Sequence, residues 1–488
     1  MKNKYSIDWL IPGLDKTKCT SQIIDFIIQA VTSGDLMAGD FIPSYRALAK
    51  LNKVGESSVR RAYTKLVDTY WLTSNPGSAT SISKHNPTEN LIHEESGFTE
   101  RFSAGMPVKN KNAEPKKIAE PFSGVGSDFP SPASFPDEKL LSYYVPLLVE
   151  SKGLTQAEFF AAFDSKELRA AVIDNLNRKR GFGLNQDMLT VIHGRKSSLD
   201  RVFKCLITPG DVVVNTAPFD LKLAIALEKC GAKVQIIDRK HDDFLERLEQ
   251  LLQNTKVRAI HIRPQCSYPE SYSLSESACN RLIELAKKYK ICLIEEEDDH
   301  EFWYGKYPFR ALASRRHGGF VIYMGALSKA SPETSALRLV VAPTQFIADM
   351  QLLPKQSIEH RDVIRERAIA KMIANGDMLE YARDIRLKSR VYRDQLHKIL
   401  KDHLEKYIKY QVPQNGLTFW LKFDEVIDLN MVLDKLEEMG VPVPYHPNHQ
   451  KTKEKLNHMM LGFGAFDIDE ALGGATLLGQ IISGLHPK

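Results

Sequence analysis

The sequence predicts a two-part protein: a small N-terminal winged helix-turn-helix, then a large α/β domain with a mixed, mostly parallel sheet and helices on both faces, closed by a C-terminal α+β subdomain. Three observations carry this. Three helical patterns and a hairpin signal fill the first eighty or so residues. Short apolar runs then alternate with longer helical patterns, the signature of a sheet covered by helices. Finally, 488 residues exceed what one hydrophobic core can organise, so two or three domains are expected, and 43% apolar composition is ample to fill them.

The N-terminal elements follow from periodicity and punctuation. Ser21 to Thr32 places Ile23, Ile24, Ile27, Ile28 and Val31 on one helical face. A second helix, Ser44 to Leu51, is opened by Pro43-Ser44, and a third, Ser57 to Tyr70, turns Val59, Ala62, Tyr63 and Leu66 inward. The turn between them, Asn52 to Glu56, contains Gly55. Trp71-Leu72-Thr73, the turn signal Asn75-Pro76-Gly77-Ser78 and Thr80-Ser81-Ile82 read as a hairpin. In this element order the third helix enters a DNA major groove and the hairpin, or wing, lies along the backbone.

Net charge over the whole chain is +5, too mild to define a partner, but its distribution is informative. From Ser44 to Lys65 six basic residues (Arg46, Lys50, Lys53, Arg60, Arg61, Lys65) face one acid, Glu56. That is the electrostatic footprint a phosphate backbone needs. The bland alternative, a solvated helical surface, explains most basic runs; here it must also explain the turn and the wing.

From Lys84 to about residue 121 no period holds, and the stretch reads as an extended linker between domain 1–83 and domain 122–488. The sheet runs are Val212 to Val214, Val234 to Ile237, Ala259 to Ile262, Ile291 to Ile294, Val321 to Met324 and Leu339 to Ala342. A long helix from about Ser357 to Leu400 separates the large part, about 122–360, from the small subdomain, about 361–488. No run of about eighteen apolar residues is found, and Lys2, Lys4 and Asp8 interrupt any signal core, so a cytoplasmic protein without membrane spans is expected. Six scattered cysteines without a CxxC pair argue against disulfides and zinc, and no metal site is expected.

Ser33-Gly34-Asp35-Leu36-Met37-Ala38-Gly39 followed by Pro43-Ser44-Tyr45-Arg46-Ala47-Leu48-Ala49 resembles the GntR-type winged-helix signature. The resemblance implies DNA contacts by Arg46 and by the start of the third helix, Glu56, Ser57, Ser58 and Arg60, with Arg61 in the same basic run. Glu56 stands where such domains commonly carry arginine; an acid there repels phosphate but can accept from cytosine N4.

Gly325-Ala326-Leu327-Ser328-Lys329, followed by Leu337-Arg338-Leu339, resembles the Schiff-base lysine segment of fold-type-I aminotransferases. Leu168-Arg169, Arg180-Gly181 and Pro209-Gly210-Asp211 match further landmarks in the same order. With the N-terminal signature, almost the whole chain resembles MocR-type transcriptional regulators. The resemblance implies pyridoxal 5'-phosphate, with Lys329 forming the imine, Phe219 stacking on the ring, and Gly194, Arg195 and Arg338 at the phosphate. Counting back from Glu301-Phe302 puts the pyridine-nitrogen acid at Glu296 and the tyrosine that bonds the phenolic oxygen at Asp298; a slipped register would make Asp298 the acid instead. Lys329 as a surface lysine and Phe219 as plain core are the competing structural readings.

Several positions depart from that pattern. Ala326 replaces a phosphate-binding hydroxyl, Glu333-Thr334-Ser335 lengthens the path to Arg338, and Met460 replaces the arginine that forks a substrate carboxylate. Three functions stay open on the sequence. The first is a homodimeric regulator of double-stranded DNA whose aminotransferase-like domain senses a small-molecule effector, with or without the cofactor on Lys329. The others are a working aminotransferase, disfavoured by Met460, and a cofactor-free scaffold.

Overall fold

The computed structural model describes residues 7–15, 18–74, 79–84, 127–151, 155, 166–216, 220–239, 243–353, 362–439, 457–465 and 467–485. The chain divides into two compact units: Met1–His93 with Ile173–Leu184 and Lys306–Arg316, and the remainder.

In the first unit α1 (Cys19–Thr32), α2 (Tyr45–Asn52) and α3 (Glu56–Asp68) surround a core of Ile23, Ile27, Leu48, Val59, Ala62, Leu66 and Trp71. Ser44 caps α2 by accepting from the Ala47 N–H at 3.2 Å, which starts the helix where Pro43-Ser44 predicts it. Lys53, at φ 52°, ends α2 in a left-handed turn, so the chain swings directly into α3. Asn52 braces the turn from behind: its amide donates to the Trp9 carbonyl and accepts from the Ile11 N–H, both at 2.8 Å. Tyr63 donates to the Pro43 carbonyl at 2.7 Å, locking α3 against the entry of α2. The wing pairs β1 (Leu72–Thr73) with β2 (Ser81–Ile82), and Phe41 bridges Ser81 as a third strand position. The tip, Asn75 to Ser78, lies outside the described residues, as does the linker beyond Lys84.

The second unit is organised by a seven-stranded sheet of β3 (Leu189–His193), β4 (Val212–Thr216), β5 (Lys233–Ile237), β6 (Val257–Ile262), β7 (Cys292–Glu297), β8 (Val321–Ala326) and β9 (Leu337–Val341), in spatial order β3-β9-β8-β7-β6-β4-β5. Only β9 runs against its neighbours; β8, β7, β6, β4 and β5 pair in parallel. The central strands β7 and β8 are buried at every position, as expected of a sheet covered on both faces. Leu199, Val202, Phe203, Leu223, Leu227, Ile294, Ile322, Met324 and Phe346 form one core under it.

The structure adds one strand and breaks one helix relative to the sequence reading. Leu189–His193 forms β3, a strand not among the six apolar runs read from the sequence. The long helix is two, Val363–Asn375 and Asp377–Leu404, because Gly376 sits at φ 84°, where a glycine redirects the chain without steric cost. The positions from Ser357 to Arg361 lie outside the described residues. A three-stranded antiparallel sheet, β10 (Ile408–Lys409), β11 (Thr418–Phe423) and β12 (His458–Gly462), completes the C-terminal part.

All six cysteines are free thiols, and among the described residues no cluster of potential metal ligands is found. No described helix is long and apolar enough to cross a membrane. Leu66 is fully buried between the three N-terminal helices, so Leu66→Ala should cost about 2–5 kcal/mol and lower the urea midpoint of the first unit's unfolding transition.

Candidate functional site

Two surfaces carry chemistry, one in each unit. In the first, α3 presents Ser57, Arg60 and Arg61 to solvent, with Ser58 half-buried, while Val59, Ala62, Tyr63 and Leu66 face the core. Glu56 is the first residue of α3 rather than part of the turn, because Gly55 serves as the N-cap; an acid in this first turn suits the helix dipole. Arg46 projects from α2 beside it. Its Nε donates to the Tyr45 hydroxyl at 3.1 Å and lies 3.9 Å from Glu56 Oε2, with both charged side chains exposed. Such an exposed pair adds little stability, but it sets Glu56 as a local competitor for the cation that a phosphate would need.

The second surface is the edge of the large sheet where β3 to β8 end and antiparallel β9 begins. Crevices of this kind, beyond the carboxyl ends of parallel strands, are where α/β sheets bind ligands. Every strand delivers a polar group there: Arg195 after β3, Asp220 after β4, Arg239 after β5, Arg263 after β6, Glu296 to Asp299 at the end of β7, Lys329 after β8 and Arg338 at the start of β9.

Glu296 is the hub. Its carboxylate is fully buried and accepts from Arg195 through Nε and Nη2, from Arg263 Nη2 at 3.0 Å and Nε at 3.2 Å, and from His261 Nε2 at 3.0 Å. Arg338 makes a longer contact at 3.5 Å. Burial alone would raise this carboxyl, but Arg195 and Arg263 hold it well below the usual carboxylate range. Asp220, which caps the following helix through the Leu223 N–H, accepts from both arginines as well, at 2.6 Å and 3.2 Å. Two carboxylates and two guanidinium groups thus close a neutral buried network.

Gly194 keeps the expected turn, at φ 80°, and caps the helix Arg195–Leu206. Arg195 does not point its charge at that helix terminus; it reaches Glu296 and Asp220 instead. Asp298 is ion-paired to Arg338, whose field outweighs burial and lowers the carboxyl. Lys329 is buried, as an active-site lysine would be and a surface lysine would not, donating to Asp299 at 2.8 Å and Asp128 at 3.3 Å. Burial presses its ammonium toward neutrality, yet Asp128 and Asp299 raise it above the ordinary lysine value. Met460 is buried on β12, opposite Trp420. Phe219 lies outside the described residues.

Sequence reasoning missed Arg263, His261, Asp220 and Asp299. Part of the signal was present: His261 and Arg263 stand at the carboxyl end of the run Ala259 to Ile262 and Asp299 a few positions past Ile294, at the edge where such sheets bind ligands, whereas Asp220 also serves as the cap of the next helix.

The comparisons with known proteins agree with this architecture. Residues 19–82 match the model of bacterial regulatory proteins, gntR family. The large domain matches kynurenine aminotransferase of Pyrococcus horikoshii, solved in complex with PMP, with a TM-score of 0.65 at 23% identity, covering 75% of this chain and 91% of that one. The protein therefore joins a GntR-type helix-turn-helix domain to a domain of the aminotransferase fold. Relatives spanning nearly all of it are helix-turn-helix regulators: the uncharacterized transcriptional regulator YdfD of Bacillus subtilis is 20% identical over 96% of this chain and 97% of its own. The probable rhizopine catabolism regulatory protein MocR of Rhizobium meliloti is 20% identical over 86% and 85% respectively. The MocR-type resemblance of the sequence thus holds over the full architecture.

Pyridoxal phosphate is the cofactor of aminotransferases with this fold, but the residues at this crevice do not fit it. A protonated pyridine nitrogen needs an acid with an open lone pair, and the Glu296 oxygens already accept from two arginines and a histidine. An imine needs a free amine, and the Lys329 amine is engaged by Asp299 at 2.8 Å and Asp128 at 3.3 Å. The position of the phenolic-oxygen tyrosine is an aspartate committed to Arg338. Next to this network, and not touching Lys329, a small cavity lined by Asp220, His261 and Arg263 among others measures about 20 Å³, the scale of one or two water molecules.

Removing one member of a buried ion network leaves the others uncompensated. Glu296→Gln should therefore destabilise the large domain by about 3–5 kcal/mol in urea titrations at neutral pH. Glu296 is depressed in the folded state, so its contribution is complete above the unfolded carboxyl value of about 4.3 and is lost as pH falls below it. The variant should accordingly show a shallower loss of stability on acidification than the parent.

Proposed function

We propose that the protein is a DNA-binding transcriptional regulator in which the aminotransferase-like domain serves as dimerisation and effector-sensing module, working without pyridoxal phosphate and without transaminase activity. The single observation that carries the non-enzymatic part is Glu296, neutralised by the protein's own Arg195 and Arg263. Met460 supports it, since it offers an amino-acid carboxylate no charge. The GntR-type domain and the full-length relatives support the regulatory part. A homodimer would present two recognition helices to half-sites one helical turn apart on double-stranded DNA, and a small molecule that prefers one dimer arrangement would change affinity. On this reading Arg46, Ser57, Ser58, Arg60 and Arg61 touch DNA, while Glu56 restrains Arg46 and limits the sequences accepted.

Fluorescence anisotropy with fragments of the protein's own promoter region tests the DNA surface. Arg46→Ala should weaken binding about tenfold and lower the salt slope by about one unit. Glu56→Arg should tighten binding and relax specificity; unchanged affinity in both variants would refute this placement of the recognition helix. Absorbance after dialysis against pyridoxal phosphate tests the sensing domain. The protein should stay colourless, whereas a retained visible band that disappears in Lys329→Ala would restore the cofactor to Lys329.

A further inference from the structure

Arg239, two residues after β5, is a buried cation without a counterion among the described residues. Its side chain is 2% exposed, and among the described residues no carboxylate lies within ion-pair distance. Its two amino groups donate to main-chain carbonyls, Nη1 to Arg263 and Nη2 to Tyr272 at 3.0 Å, and its Nε has no hydrogen-bond partner among the described residues. Burial pulls the guanidinium down to about 10, with Glu270 and Cys266 compensating only at longer range. A buried charge left in this state is costly, and a ligand of opposite sign would relieve that cost.

The group lines the small cavity at the strand ends, together with Asn215, Thr216, His261, Arg263 and Ser267. Donors converge there. The Ser267 hydroxyl accepts from the Tyr272 N–H at 2.9 Å and keeps its own proton to give. Asp220 and Arg263, which also border the cavity, are 21% and 17% exposed, so the space communicates with solvent. Charge selects the ligand. Arg195, Arg263, Glu296 and Asp220 cancel among themselves, and Arg239 leaves one positive charge. Asp220 on the wall opposes a second negative charge on any guest.

We infer that Arg239 and the cavity beside it form a binding site for the carboxylate head of a small monoanion, lying at the ends of β4, β5 and β6 and separate from Lys329. The site is too narrow for a ring, so the head enters and the rest of the molecule extends toward Asp220 and solvent. It supplies the chemical class of effector for the sensing role proposed above; it rests on that reading for its consequence on DNA and not for the binding itself.

The test uses the full-length protein with sodium acetate as probe, against sodium chloride and sodium phosphate at matched ionic strength and neutral pH. Acetate should raise the thermal midpoint saturably and beyond chloride, and should broaden the resonance of labelled acetate. In Arg239→Met the half-saturating acetate concentration should rise about tenfold or more, with far-UV circular dichroism unchanged. Arg239→Lys, which keeps the charge and loses the fork, should fall between the two. Should Arg239→Met fail to fold, the labelled-acetate signal of the parent protein decides alone. Acetate acting no better than chloride, a response that survives in folded Arg239→Met, or phosphate binding more tightly than acetate would each overturn the assignment. None of these readouts involves DNA, so failure here leaves the regulatory reading standing, and loss of DNA binding leaves this site standing.

Discussion

The large domain depends on how one buried carboxylate is neutralised. Glu296 sits at the end of the central strand β7 with no solvent around it, a placement that is prohibitive for an isolated charge and tolerable only with donors on every lone pair. In an aminotransferase a bound cofactor shares that duty. Here Arg195, Arg263 and His261 perform it, and their commitment reorganises the rest of the crevice. Arg195 is withdrawn from the helix terminus that would cradle a phosphate. Arg338 is left to Asp298, and Lys329 to Asp299 and Asp128. Internal ion pairs occupy the crevice, and among its described charged residues Arg239 stands without a counterion.

Much of this was legible in the sequence because the signals are local. Pro43-Ser44 caps a helix, Gly55 opens another, and the apolar faces of the first three helices meet in one core that Trp71, Leu72 and Ile82 complete. The buried strands announce themselves as short apolar runs, and the glycine before Arg195 marks its turn. Even the erosion of the cofactor site is visible at Asp298 and Met460, where residue chemistry contradicts the expected task.

What was not legible is where flexible charged side chains send their heads. Arg195 reads as a phosphate ligand from its place after a glycine turn, yet its guanidinium crosses to strands β4 and β7. Asp299, the last of five consecutive acids and just past the end of β7, takes the lysine, and nothing in the run itself tells which acid faces which neighbour. β3 was overlooked because its pairing with β9 closes over a long stretch of chain, and no local pattern reports such a contact. Gly376 was passed over because a helical period continues on both sides of it.

The two units tell a consistent story of division of labour. The N-terminal surface is exposed and basic with a single acid among its cations, whereas the strand-end crevice is largely buried and its Glu296 is neutralised by the protein's own arginines. A crystal structure of the full-length protein grown with excess pyridoxal phosphate decides whether Glu296 is neutralised by protein or by cofactor. Arg195 and Arg263 should remain on the Glu296 carboxylate, with no cofactor density at Lys329. A pyridine ring with its nitrogen against Glu296 and both arginines displaced would contradict this arrangement.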